Sequence, residues 1–166
     1  RHRRRPHQQQ PRHRRRRRGV RLITIDLDVT EDPTHGAQQL TFFNGFYDRW
    51  CYLPLVGTLT FDDEARQYLV AAILRPGNAA GAAGAVSLLQ RLLPKLRRAF
   101  RGARLRVRLD AGFATPAVFD HLEAAGVEYV VAMAGNPVLA RHAEPYVAPL
   151  RPVVAMTHDT ATTYGE

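Results

Sequence analysis

The sequence predicts an α/β fold in which a mixed sheet is flanked by helices, in the order β-β-β-α-β-α-β. Three observations carry that prediction. Residues 20 to 30 and 104 to 109 alternate apolar and polar side chains, as half-buried strands do. Residues 82 to 100 place Val86, Leu89, Leu92, Leu93 and Leu96 near one stripe of a helix. Strand and helix signals then alternate along the second half of the chain, a pattern that requires helical crossovers between strands.

Each element has its own local reason. In the first strand, Ile23, Ile25, Leu27 and Val29 share one face, while Thr24, Asp26, Asp28 and Thr30 share the other. The turn "EDPTHG" stops it with Asp32, Pro33 and Gly36. A second strand signal covers "FFNGFYDRWCYLPLVGTLT" and a third "ARQYLVAAIL", both rich in aromatic and β-branched residues and paired as a hairpin through "FDDE". "RPGN" closes the third strand, with Asn78 as the expected cap of the helix that follows. That helix runs from about Ala82 to Phe100 and contains Pro94. "ARLRVRLD" is the next strand, with Arg104, Arg106 and Arg108 opposite the apolar face and Asp110 at its end. A helix capped by Thr115, begun by Pro116 and stopped at Gly126 leads to the last strand, "VEYVVAMAG".

Composition narrows the function classes. The 166 residues suit one ordinary domain, and the only cysteine, Cys51, excludes a disulfide framework or a four-cysteine zinc site. Cys51 reads as a buried small hydrophobe. No apolar run approaches the length of a membrane span, so the expectation is a soluble, cytoplasmic protein with no membrane partner. The net charge of +9 is unevenly placed, because residues 1 to 21 hold 11 of the 24 basic residues and none of the 15 acidic ones. Residues 1 to 20 are expected to be a disordered arginine-rich tail and residues 21 to 166 the folded domain. Arg14, Arg15, Arg16, Arg17 and Arg18 are the candidate nucleic-acid-binding residues, since arginine contacts to phosphate release counterions. A solvated tail without a selected role is the alternative.

The candidate chemistry lies in the acids at strand ends. Two divalent cations acting on a phosphodiester need clustered hard oxygen ligands. Asp28 and Asp110 end two strands linked through a crossover, and such strands can lie side by side with a site at their carboxyl ends. From spacing alone, the favoured reading of the same aspartates is as turn or capping residues.

Longer phrases are more specific. "LDVTEDPTHGAQQLTFFNGFYDRWCYLPL", "LRPGNAAGAAGAVSLLQRLL" and "RLDAGFATPAVFDHLEAAGVEYVVAMAGNPVL" together resemble the DDE transposases of bacterial insertion sequences, of the group-1 DDE domain type. The resemblance runs from about Leu22 to Leu139 and implies an RNase H-like catalytic core that cuts and joins DNA. It makes Asp28 of the D-x-T and Asp110 of the D-x-G-F the expected catalytic and metal-binding acids, with Asp26 as runner-up. It implies two Mg2+ or Mn2+ ions in the complete enzyme, transposon-end and target DNA as partners, and a homodimer on DNA. Arg75, Asn78, His35 and Gln38 belong to the same phrases and read as turn-forming or satisfied polar residues. The family's third acid, a glutamate in a basic helix, has no counterpart before Glu166. Glu123 and Glu128 lie too early, and Glu144 and Glu166 lack that setting. The expectation is the front part of a catalytic core, inactive alone. A related metal-dependent nuclease and a non-enzymatic nucleic-acid-binding remnant are the alternatives.

Overall fold

Strand β1 (Leu22–Val29) alternates as its sequence requires, with Ile23, Ile25 and Leu27 buried and Asp28 exposed. The fold is described by a computed structural model over residues 19–36 and 38–163. The arginine-rich tail up to Arg18, and Glu166, lie outside the described residues. After β1 come β2 (Asp32–Pro33), β3 (Phe42–Asn44), β4 (Arg49–Tyr52), β5 (Leu55–Phe61) and β6 (Tyr68–Ile73). Helix α1 (Ala85–Ala99), β7 (Arg104–Leu109), α2 (Pro116–Ala124) and β8 (Glu128–Val131) follow, then α3 (Pro137–Val147) and α4 (Arg151–Thr157).

The principal sheet has five strands in the order β6-β5-β1-β7-β8. Strand β5 runs antiparallel to β1 and β6, whereas β7 runs parallel to β1 and β8. This is the mixed sheet with helical crossovers that the sequence predicts. The second strand signal is corrected, because it divides into three strands. Only β5 joins the principal sheet, while β3 and β4 form a separate three-stranded sheet with β2. Two backbone features break the run: an Asx-type turn in which Asn44 Oδ1 accepts the Phe46 and Tyr47 amides, and Pro54, which has no amide hydrogen for a ladder.

The core occupies one side of the principal sheet. Ile23, Ile25 and Leu27 of β1, Leu55 and Leu59 of β5, and Leu105, Val107 and Leu109 of β7 meet Ala85, Leu89, Leu93 and Leu96 of α1. Val118 and Leu122 of α2, with Phe113, close the same cluster. Each such aliphatic side chain contributes roughly 1.5–3 kcal/mol on burial. Pro94 lies inside α1 at an exposed position. The expected cap at Asn78 is corrected: α1 begins at Ala85 after Gly84, whose φ of 82° is the left-handed conformation that glycine adopts without strain. Thr115 occupies the N-cap of α2 and Pro116 its first position, although the threonine side chain makes no capping hydrogen bond. Helices α3 and α4, which the strand-and-helix order did not include, contain no buried residue.

Candidate active site

The parallel register of β1 and β7 decides where the acids go. Asp26 pairs with Arg108 and Leu27 with Leu109, the last rung of the ladder. One residue past that rung, Asp28 and Asp110 line one cleft at the carboxyl ends of neighbouring parallel strands. Leu27 and Leu109 point into the core. Period-two alternation therefore puts Asp28 and Asp110 together on the opposite face.

Local hydrogen bonds orient both carboxylates. Asp28 Oδ1 accepts from its neighbour's amide, Val29 N, at 2.8 Å. Asp110 caps the short 3-10 turn Ala111–Phe113 by accepting from Gly112 N at 2.8 Å. Among the described residues, no hydrogen bond engages the second carboxylate oxygen of either. The two acids share an open cleft of about 610 Å³ with Asp26, Thr30, Thr58, Gln67 and Arg108.

Asp26 lies in the same cleft but is committed differently. Arg108 Nε donates to its Oδ1 at 2.5 Å, and this pairing raises the Arg108 pKa above the ordinary arginine value. The Asp26 side chain is only 17% exposed and its Oδ2 is buried without a partner among the described residues. The partner was readable from the alternation of β7, which places Arg108 on the acid face, but only the strand register shows that it meets Asp26.

The later acids are engaged elsewhere. Glu128 bridges Arg104 and Arg106, whose hydrogen bonds and charges lower its pKa. Glu123 accepts from the Tyr129 hydroxyl at 3.0 Å, and Glu144 forms two 2.7 Å contacts with Arg151. Among the described residues, no group of three His, Cys, Asp or Glu side chains converges on a metal-binding arrangement. Asp28 and Asp110 are hard oxygen donors on one face, which fits a divalent cation with water or substrate completing its shell. They are too few to hold two ions by themselves.

The other residues of the family-like phrases divide. His35 and Gln38 are exposed and make a local contact, with Gln38 Nε2 3.4 Å from the His35 carbonyl. Asn78 is exposed in its turn. Arg75, by contrast, is buried and hydrogen-bonded to four backbone carbonyls, a role beyond closing a turn. Cys51 is buried, as the composition suggested, and burial raises its thiol pKa. No helix among the described residues is long and apolar enough to cross a membrane.

A mixed five-stranded sheet flanked by helices, with two aspartates at the ends of neighbouring parallel strands, defines an α/β domain. The chain belongs to the transposase DDE domain group 1 family, whose model matches residues 6–164. Among solved structures, the catalytic domain of Mos1 mariner transposase is 18% identical, with a TM-score of 0.40, over 87% of this chain and 64% of that one. A Mos1 catalytic domain with Raltegravir and Mg is 20% identical, with a TM-score of 0.40, over 87% of this chain and 65% of that one. PiggyBac transposase in a synaptic complex with hairpin DNA is 13% identical, with a TM-score of 0.42, over 69% of this chain and 24% of that one. The chain thus spans less than two thirds of each of these. No curated protein matches the sequence.

Proposed function

We propose that this chain supplies two catalytic acids, Asp28 and Asp110, to a metal-dependent transposase that cleaves transposon ends and transfers the freed strand to target DNA. The observation that carries the reading is the β1–β7 register, which brings those two aspartates together at the open end of the sheet. Family membership supports the reaction class. Mg2+ or Mn2+ is the ion that suits the donor set. When bound, such an ion supplies Lewis-acid activation of the attacking and leaving oxygens.

The chain's own residues do the positioning. Two adjacent carboxylates repel each other, and a divalent cation held by Asp28 and Asp110 would favour both remaining ionised. The Val29 and Gly112 amides each fix one oxygen, so the carboxylates are oriented before an ion arrives. Arg108 occupies Asp26, which keeps that acid from competing as a ligand. Tail residues Arg14 to Arg18 add sequence-independent phosphate contacts, and the active form on paired DNA ends is a homodimer working in the cytoplasm.

The test separates three products. Supercoiled plasmid and labelled transposon ends are incubated with the 166-residue chain and Mn2+, and intact, nicked and joined DNA are resolved. With two acids converging among the described residues, the expectation is binding without joining. Joined product from this chain would overturn the need for a third carboxylate. Nicking without joining, lost in Asp110→Asn, would replace strand transfer by hydrolysis as the function. Removing residues 1–18 is expected to flatten the salt dependence of DNA binding, since each phosphate contact contributes about 0.9 to the slope.

A further inference from the structure

Arg75 lies two residues after β6 in the phrase "LRPGN", where a solvated basic side chain would be ordinary. Instead the residue is only 6% exposed, and no carboxylate pairs with it among the described residues. Its Nε and Nη1 are satisfied by backbone, while Nη2 is buried without a partner among the described residues. Nε donates to the Leu53 carbonyl at 2.7 Å, and Nη1 lies 3.2, 3.0 and 2.8 Å from the carbonyls of Ala80, Gly81 and Ala83. Burial lowers its pKa from the ordinary arginine value. Keeping a charge buried on neutral acceptors is costly unless their geometry is well fixed, so the arrangement needs a structural return.

The return is visible in what the 80–83 segment touches. This segment, "AGAA", has no side-chain acceptor or donor of its own, and among the described residues Arg75 Nη1 gathers three of its four carbonyls while Nε ties it to Leu53. Gly81 sits so close to the Asp110 turn that a Cβ there would lie 2.8 Å from the Gly112 carbonyl oxygen. Gly112 is the residue whose amide holds Asp110 Oδ1. Upstream, the same loop is pinned at Gly77, where a Cβ would meet the Cys51 and Phe42 carbonyl oxygens at 2.1 and 2.6 Å. The loop therefore has a close seat at Gly77 and another at Gly81, and Arg75, just before both in the chain, bonds to the carbonyls around the second.

We infer that Arg75 is a positioning residue for the Asp110 carboxylate, acting through the loop that it folds against Gly112. The inference rests on the reading of Asp28 and Asp110 as metal ligands. Arg75 touches neither substrate nor ion in this role. Its fork shapes residues 80–83, that segment supports Gly112, and the Gly112 amide aims Asp110.

The test follows the Gly112 amide in 1H–15N spectra of the full chain, with the Val107 amide reporting the core. In Arg75→Gln and Arg75→Lys, the Gly112 resonance is expected to move towards its unstructured position while Val107 stays. Lysine keeps the charge and loses the fork, so it does not restore the shift. Mn2+ affinity, read from water proton relaxation, is expected to fall roughly ten- to hundred-fold in both, as for loss of a ligand-orienting partner. A Gly112 resonance unchanged in folded Arg75→Gln would overturn the inference. Should the Arg75 variants fail to fold, Gly81→Ala alters the seat directly, and an unmoved Gly112 amide there would overturn it equally. Failure of Mn2+ to bind the unsubstituted chain would remove the metal reading, while the Gly112 shift would still decide the positioning role.

Discussion

Two polar rungs of the same strand pair carry opposite chemistry. Asp26 faces Arg108 on one, and Asp28 comes beside Asp110 on the other, with the apolar Leu27–Leu109 rung between them. The lower rung compensates its own charge, through an arginine that is itself largely exposed at the cleft. The upper rung concentrates negative charge, and among the described residues no cationic side chain pairs with either carboxylate. Alternate positions on a single strand thus separate an arginine-paired acid from one that lies beside a second acid. The difference arises from what the parallel neighbour supplies at that height, arginine or aspartate.

Breaking the rung that separates them has the largest expected effect. Leu27 is 3% exposed, and Leu27→Ala is expected to lower stability by about 2–5 kcal/mol, measured by denaturant unfolding. A loss much smaller than that would mean the two strands are not locked by their apolar faces. Next comes the lower rung. Arg108→Met leaves Asp26 half-buried and uncompensated, at an expected cost of about 1 kcal/mol after allowance for the exposed arginine. In a double-mutant cycle, Asp26→Leu is expected to recover most of that loss, and strict additivity would show that the two side chains are not coupled.

Acid sharpens the contrast further along the same face. Glu128 has a pKa lowered by its hydrogen bond to Arg106 and by the charges of both arginines. Because the folded-state value is depressed, its stabilising contribution is present above the ordinary glutamate value of 4.5 and is lost as pH falls through the lowered one. Unfolding curves of Glu128→Gln are expected to lack that component of the acid dependence. An identical acid profile in both proteins would contradict it. The smallest effect is expected far from the sheet: Arg151→Ala breaks the exposed Glu144 pair and should change stability by less than about 0.5 kcal/mol.

Much of this was legible in the residues, for physical reasons that differ by element. Period-two alternation in "LITIDLDV" and "RLRVRL" follows from one buried sheet face, so both strands and the side occupied by their acids could be read directly. The leucine stripe gave α1 for the same reason. The small sheet was not separable, because "FFNGFYDRWCYLPLVGTLT" has strand chemistry throughout and its breaks depend on an Asn44 turn and on which partner each piece finds. Helices α3 and α4 lack a buried stripe, and so gave no periodic signal tied to a core. At the site, the acids were visible as a motif, but Arg108 needed the register. Arg75 was hidden for another reason: its partners are backbone carbonyls, which leave no side-chain signature beyond a run of small residues.

The separation between the rungs is tested most directly by Mn2+ titration of four proteins, the unsubstituted chain and Asp26→Asn, Asp28→Asn and Asp110→Asn, followed by water proton relaxation. Asp28→Asn and Asp110→Asn are expected to abolish the bound signal, while Asp26→Asn retains it within a few-fold of the unsubstituted chain. Loss of binding in Asp26→Asn equal to that in the other two would contradict the assignment and make the arginine-paired acid a ligand.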